Sequence, residues 1–159
     1  MKEEFNSNGF YSNEDMLWNI WGDQKQEHIE ALSWEGTGQA PRKYWMSFPA
    51  HGYLLADTYR RPVILFSDGG PSTYLPLSYP PTNNPPIGLI LHDLHLISFN
   101  FKAEIWPSPR VDPFWKHWAE KEALAWKEWI QPNLDLGEKV LFPPKRRSSR
   151  LNKNIEIDI

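Results

Sequence analysis

Residues 62–101 read PVILFSDGGPSTYLPLSYPPTNNPPIGLILHDLHLISFNF, and this stretch decides the fold. It holds several apolar runs of strand length, separated by turn chemistry. Pro62-Val63-Ile64-Leu65-Phe66 is continuously apolar, the pattern of a strand covered on both faces. Asp68-Gly69-Gly70-Pro71 is a turn. Thr73-Tyr74-Leu75-Pro76-Leu77 predicts a shorter partner strand. Pro76 confines that strand to an edge or a bulge, because proline removes a ladder donor. Residues 78–86 (SYPPTNNPP) are a loop. Ile87 to Leu91 predicts another strand, His92-Asp93 a tight hairpin turn, and Leu94 to Phe101 the last strand. Alternation on that strand puts His95, Ile97, Phe99 and Phe101 on one face. Leu94, Leu96, Ser98 and Asn100 fall on the other.

Working outward, both flanks read as helical. Ser12 and Asp15 resemble a capping box opening a helix with Met16, Leu17, Ile20 and Trp21, which ends near Gly22. Asp23 caps a second helix through about Trp34, with Ile29 and Leu32 as its apolar contacts. Residues 35–43 (EGTGQAPRK) form a loop. Pro49 suits the first turn of a third helix, to about Tyr59, with Tyr53, Leu54, Leu55 and Ala56 buried. Downstream, Asp112-Pro113 is a cap followed by a first-turn proline. The helix it opens is expected to run to about Ile130 and stop before Pro132. Its stripe of Phe114, Trp115, Trp118, Ala125, Trp126 and Trp129 reads as core. The order of elements predicts an α+β fold. A small antiparallel sheet of about four strands packs against N-terminal helices and one long C-terminal helix. The expected boundaries are a flexible N-terminus at 1–11, a folded unit at 12–131 and a disordered basic tail at 132–159.

Composition sets limits on function. The chain has 159 residues, 40% hydrophobic and 23% charged, which suits one soluble domain with a real core. Its nine tryptophans read mainly as core or interface payload. A net charge of −3 argues against a nucleic-acid surface over the whole domain. No apolar run reaches membrane-span length, and MKEEF lacks the apolar core of a signal peptide. The expectation is an intracellular protein, cytoplasmic or nuclear, with no membrane partner. There is no cysteine, which excludes thiol catalysis by this chain, disulfides and cysteine-ligated metals.

Among the histidines, His92 and His95 form the only tight cluster, with Asp93 between them. Placed on one strand they would point to opposite faces, and no fourth ligand is evident, so no metal is expected. His95, at the start of an apolar strand, is the better placed as a catalytic base. Gly69-Gly70 is too short for a phosphate loop and lacks a following lysine and helix, so no cofactor is expected. No serine sits in a G-x-S-x-G elbow.

Residues 45 to about 106 resemble the OTU (ovarian tumour) family of cysteine deubiquitinases, in particular the divergent OTU-like domains of transposon-related proteins. WMSFPAHGYLLADTYRRPVILFS is similar to that family's tryptophan-rich entry, proline, helix and Y-x-x-P step into a strand. STYLPLSYPPTNNPPIGLILHDLHLISFNF is similar to its strand, Pro/Asn loop and His-box strand, with His95-Leu96-Ile97 as the His box. The resemblance implies isopeptide hydrolysis of ubiquitin chains, in which a thiolate attacks, a histidine relays the proton and an acidic or amide side chain orients the histidine. Only His95 carries over. The family's cysteine lies in an N-terminal D-x-x-C element that this chain lacks. The orienting position two residues after the histidine holds Ile97. Asn100 is the substitute candidate, although alternation puts it on the opposite face.

The resemblance therefore implies a truncated or degenerate, catalytically inactive member that binds ubiquitin or another protein. An upstream segment carrying D-x-x-C would instead make this chain part of an enzyme. The alternative from another class is an interaction or nucleic-acid-associated domain. It would act through the Trp-rich surface and the basic residues Lys145, Arg146, Arg147, Arg150 and Lys153.

Overall fold

The apolar run at 62–66 becomes strand β1 (Val63–Ser67), and Val63, Ile64 and Leu65 are all buried, as expected of a strand with both faces covered. The structure is a computed structural model that describes residues 22–102 and 104–143. The predicted first helix, up to residue 21, and the basic residues from Lys145 onward lie outside the described residues.

Helix α1 (Lys25–Ala31) follows a 3-10 turn at Gly22–Gln24, and its cap position is Gln24, not Asp23. Helix α2 (Ala50–Tyr59) begins directly after Pro49, as the proline predicts. Its residues 50–57 are all buried, which suits a helix enclosed by its surroundings. It ends where Arg60 adopts a left-handed conformation, φ 50°, and the chain turns into β1.

Strand β2 (Ser72–Tyr74) pairs antiparallel with β1. Strands β3 (Ile87–His92) and β4 (His95–Asn100) form an antiparallel hairpin, and the sheet order is β2-β1-β3-β4. The class is α+β as predicted, but the sheet is mixed. β1 and β3 run parallel, with Val63 opposite Ile87 and Ser67 opposite Leu91. The reason is the connection at 75–86. Strand β2 returns the chain to the end of the sheet where β1 begins, with Tyr74 opposite Val63. The proline-rich stretch then carries it past that end to the other side of β1, so β3 sets out beside β1 in the same direction.

The hairpin turn is Asp93-Leu94, one residue later than expected, with both residues at positive φ (47° and 65°). That is the backbone of a type I′ turn, whose twist matches the strands.

The C-terminal region departs furthest from expectation. Asp112-Pro113 does open a helix, α3, but it covers only Trp115–Trp118. Ala119 and Glu120 are extended, a 3-10 segment follows at Lys121–Ala125, and the long helix α4 is Trp126–Leu141. The break lets the Glu120 amide reach the Leu77 carbonyl at 2.8 Å. The Trp115 and Trp126 indoles donate to the Pro76 and Tyr79 carbonyls at 3.0 and 2.7 Å. The two tryptophans thus satisfy loop carbonyls that would otherwise be buried and unpaired.

Residues 132–141, expected in the tail, are therefore helical, with Pro132 inside α4. An interior proline costs about 3 kcal/mol in an isolated helix. Here burial of Trp126, Ile130, Asn133 and Gly137 along one face outweighs it. Trp115, Trp126, Tyr53 and Ile64 lie at the centre of the core.

Candidate functional site

The sheet presents two edges, and they differ in what covers them. On the β2 side, residues 106–112 run alongside as a strap. Thr73 donates its amide to the Arg110 carbonyl (3.0 Å), and its own carbonyl accepts from Asp112 (2.9 Å). Val111 forms a parallel bridge with Thr73. The buried Thr73 hydroxyl donates to the Pro109 carbonyl and meets the Ser108 hydroxyl, each at 2.9 Å. The strap is in turn fixed to α4. Asn133 accepts the Trp106 amide through Oδ1 at 3.0 Å and the Ser108 amide through its carbonyl at 2.9 Å. At Gly137 a Cβ would stand 1.8 Å from the Ser108 oxygen, so only glycine admits this approach.

Buried side chains hold the same end of the sheet together. Tyr53 donates its hydroxyl to the Asp112 carboxylate, which also accepts the Phe114 amide at 3.1 Å. Burial and the neighbouring Asp112 charge push the Tyr53 phenol well above its ordinary range. Asp57, on α2, accepts the Leu77 and Ser78 amides at 2.6 and 3.2 Å. Burial drives its carboxyl up to about 7, against the opposing pull of those two donors.

On the β4 side nothing among the described residues pairs with the outer edge. The two-residue turn makes His92 and His95 a hydrogen-bonded pair, and pairs alternate from there along the register. The amides and carbonyls of His95, Ile97 and Phe99 therefore face β3. Those of Leu96, Ser98 and Asn100 face outward. Of the six side chains Phe99 is half-buried, packing with Phe66 and Phe101, and the other five are exposed. Ile97 is 56% exposed, and Leu94 at the turn 71% exposed. With Ile90 and Leu96, also exposed, they make an apolar tip on the hairpin.

His95 sits at that tip. It is exposed, and its Nδ1 donates to the Asp93 carbonyl at 2.8 Å, which leaves Nε2 as the basic nitrogen. His92 is its cross-strand partner, so the two rings share a face; the turn between them cancels the opposition expected of one continuous strand. His92 lies 3.5 Å from Asp68 and 3.4 Å from Asp93, all of them exposed, and such contacts contribute little. Among the described residues no group of three or more histidines and carboxylates could hold a metal. Asn100 lies at the other end of β4, five residues on and roughly 17 Å away, facing the opposite side. The structure does not bring His95 and Asn100 together.

Sequence reasoning did not single out the Ser47 and His51 pairing. His51 is fully buried, and its Nδ1 accepts the Ser47 amide at 2.7 Å. The signal available was a histidine inside an otherwise apolar helical run. No helix among the described residues is long and apolar enough to cross a membrane. Comparison of the chain with protein-family models, with curated proteins and with solved structures finds no match.

Proposed function

We propose that the chain is a non-catalytic, protein-binding domain of OTU-like ancestry, and that β4 takes up an extended segment of ubiquitin or a ubiquitin-like partner. The observation that carries this is the composition of the open edge. His95–Asn100 is a six-residue strand with no lysine, arginine, aspartate, glutamate or proline. Edge strands of monomeric proteins are ordinarily blunted by charges, prolines, bulges or a covering element, because their free amides template pairing with another chain. Among the described residues none of these protects the edge, and its exposed side chains are the apolar Leu96 and Ile97 beside the polar His95, Ser98 and Asn100. Strand addition fits such a surface: main-chain bonds supply affinity and alternate side chains supply specificity.

The non-catalytic part rests on chemistry. The chain has no cysteine, and among the described residues no carboxylate or amide side chain is bonded to His95. A proton relay needs a nucleophile beside the base and a group to orient it.

Titration of the full chain with ubiquitin by calorimetry is the test, alongside incubation with di-ubiquitin. We expect saturable binding that Ile97→Lys weakens at least tenfold, and no cleavage. Cleavage abolished by His95→Ala would overturn the non-catalytic reading. Absence of binding, or binding unchanged in Ile97→Lys, would overturn the partner or the surface. Self-association lost in Ile97→Lys would replace the proposed partner with a second copy of this chain.

A further inference from the structure

His28, on α1, and His51, on α2, meet with ring centroids 5.0 Å apart, edge to face. Ser47 lies between them, its hydroxyl 3.4 Å from the Nδ1 of each. His51 is sealed in. Its Nδ1 accepts the Ser47 amide, and its own amide donates back to the Ser47 carbonyl at 3.0 Å. That bond fixes the tautomer, with the proton on Nε2. Protonating His51 would put a second N–H where Nδ1 now accepts, so the Ser47 amide would lose its acceptor inside a buried site. Protonating His28 as well would set two like charges side by side.

We propose that this histidine pair is an acid-sensitive latch, which docks α1 on the start of α2 when neutral and releases it when protonated. The groups acting on the pair support it. Burial lowers both histidines, and His28 lowers His51 further. Glu27, on α1 beside His28, opposes this for His28, and backbone hydrogen bonds with His28 and Ser47 oppose it for His51. At the adjoining contact, Lys43 of the 3-10 turn Arg42–Tyr44 pairs with Glu30 of α1 at 2.7 Å, so neither contributes a bare charge to the pair. Of the α1 side chains whose burial is described, Ala31 alone is fully buried.

The sign follows from the lowered values. A histidine whose folded value lies below the ordinary 6.5 binds its proton more readily when undocked. Docking is therefore complete above about pH 6.5 and weakens as the pH falls below it.

Hydrogen exchange of the full chain, corrected for the intrinsic pH dependence of exchange, reads this directly. Between pH 7.5 and 5.5 we expect protection of the α1 amides to drop about tenfold, while α2 and β1 stay protected. In His28→Gln, a half-exposed position, the pH dependence of α1 protection should shrink, because His51 alone still titrates. His28→Asn should behave the same, which separates titration from side-chain size. Protection of α1 that does not change with pH in the unaltered chain would overturn the latch. A pH dependence that persists undiminished in both variants would overturn it equally.

Discussion

Strand β2 closes its side of the sheet after three residues, beneath a strap bonded to both Thr73 and α4. Strand β4 closes the other side with six residues and no cover among the described ones. The same sheet thus ends in two ways. At β2, the backbone and hydroxyl of Thr73 are buried and paired, so the edge belongs to the core. At β4, the outward amides are left to solvent beside exposed aliphatic side chains, so the edge belongs to the surface. Burial converts each bond at β2 into a stability term, because an unpaired partner there could not fall back on water. At β4 the same groups cost little to leave unmade, which makes that edge available for exchange with a partner.

If this contrast is right, substitutions at the sealed edge should cost stability and those at the open edge should not. Gly137→Ala should give the largest effect. Alanine improves helix propensity by about 1 kcal/mol. Its Cβ, however, would collide with the Ser108 backbone, and forced overpacking costs about 3 kcal/mol. A net loss of about 2 kcal/mol in urea unfolding is expected, and a neutral result would break the account of the strap. Thr73→Val comes next. It keeps the shape but removes the Thr73 hydroxyl from the Pro109 carbonyl and the Ser108 hydroxyl, which keep only their own 3.3 Å bond, for a loss of about 1–2 kcal/mol.

Leu94→Gly should move stability the other way. Leu94 holds φ 65° at the hairpin turn, a conformation that costs a side-chain-bearing residue about 1 kcal/mol and glycine little. Glycine is expected to raise stability by a little under that amount, since it also loosens the unfolded chain. Ile97→Lys, at the open edge, should change stability by less than about 0.5 kcal/mol. A large loss there would mean that β4 is part of the core after all.

Asp57 sharpens the comparison through pH. Its carboxyl, raised to about 7 by burial, ties α2 to the loop that follows β2. A carboxyl whose folded value lies above its unfolded one adds stability that is complete below the unfolded value. That stability is lost as the pH rises through the folded value. The contribution of Asp57 to stability should thus decline between about pH 4 and 7. Asp57→Asn, which keeps an acceptor for the Leu77 amide, should show a flatter profile over that range. Equal profiles would place the carboxyl in a less buried setting.

The contrast between the edges was only half legible in the sequence. Val63 to Phe66 and Ile87 to Leu91 were readable as strands, because unbroken aliphatic runs of that length have few other uses. The alternation that separates His95 from Asn100 was readable too. The parallel pairing of β1 and β3 was not, since strand direction depends on where the crossover at 75–86 travels, and nothing local to the strands encodes that. The strap was hidden for a related reason. Trp106-Pro107-Ser108-Pro109 has no periodicity, and its role comes from Asn133 and Gly137, far away in sequence. Pro132 signalled a helix end correctly by propensity and wrongly by outcome, because the buried face of α4 continues through Asn133 and Gly137. In the candidate site, His95 was locatable from its strand, whereas the bareness of the edge depends on what the rest of the chain leaves uncovered.

The central claim is that β4 is an open edge that receives a partner strand. Amide chemical-shift mapping of the full chain during titration with ubiquitin tests it most directly. The account predicts perturbations concentrated at Leu94 to Asn100, strongest at the outward amides of Leu96, Ser98 and Asn100, and abolished by Ile97→Lys. Unperturbed β4 amides at saturating ubiquitin, or perturbations that survive Ile97→Lys, would contradict it.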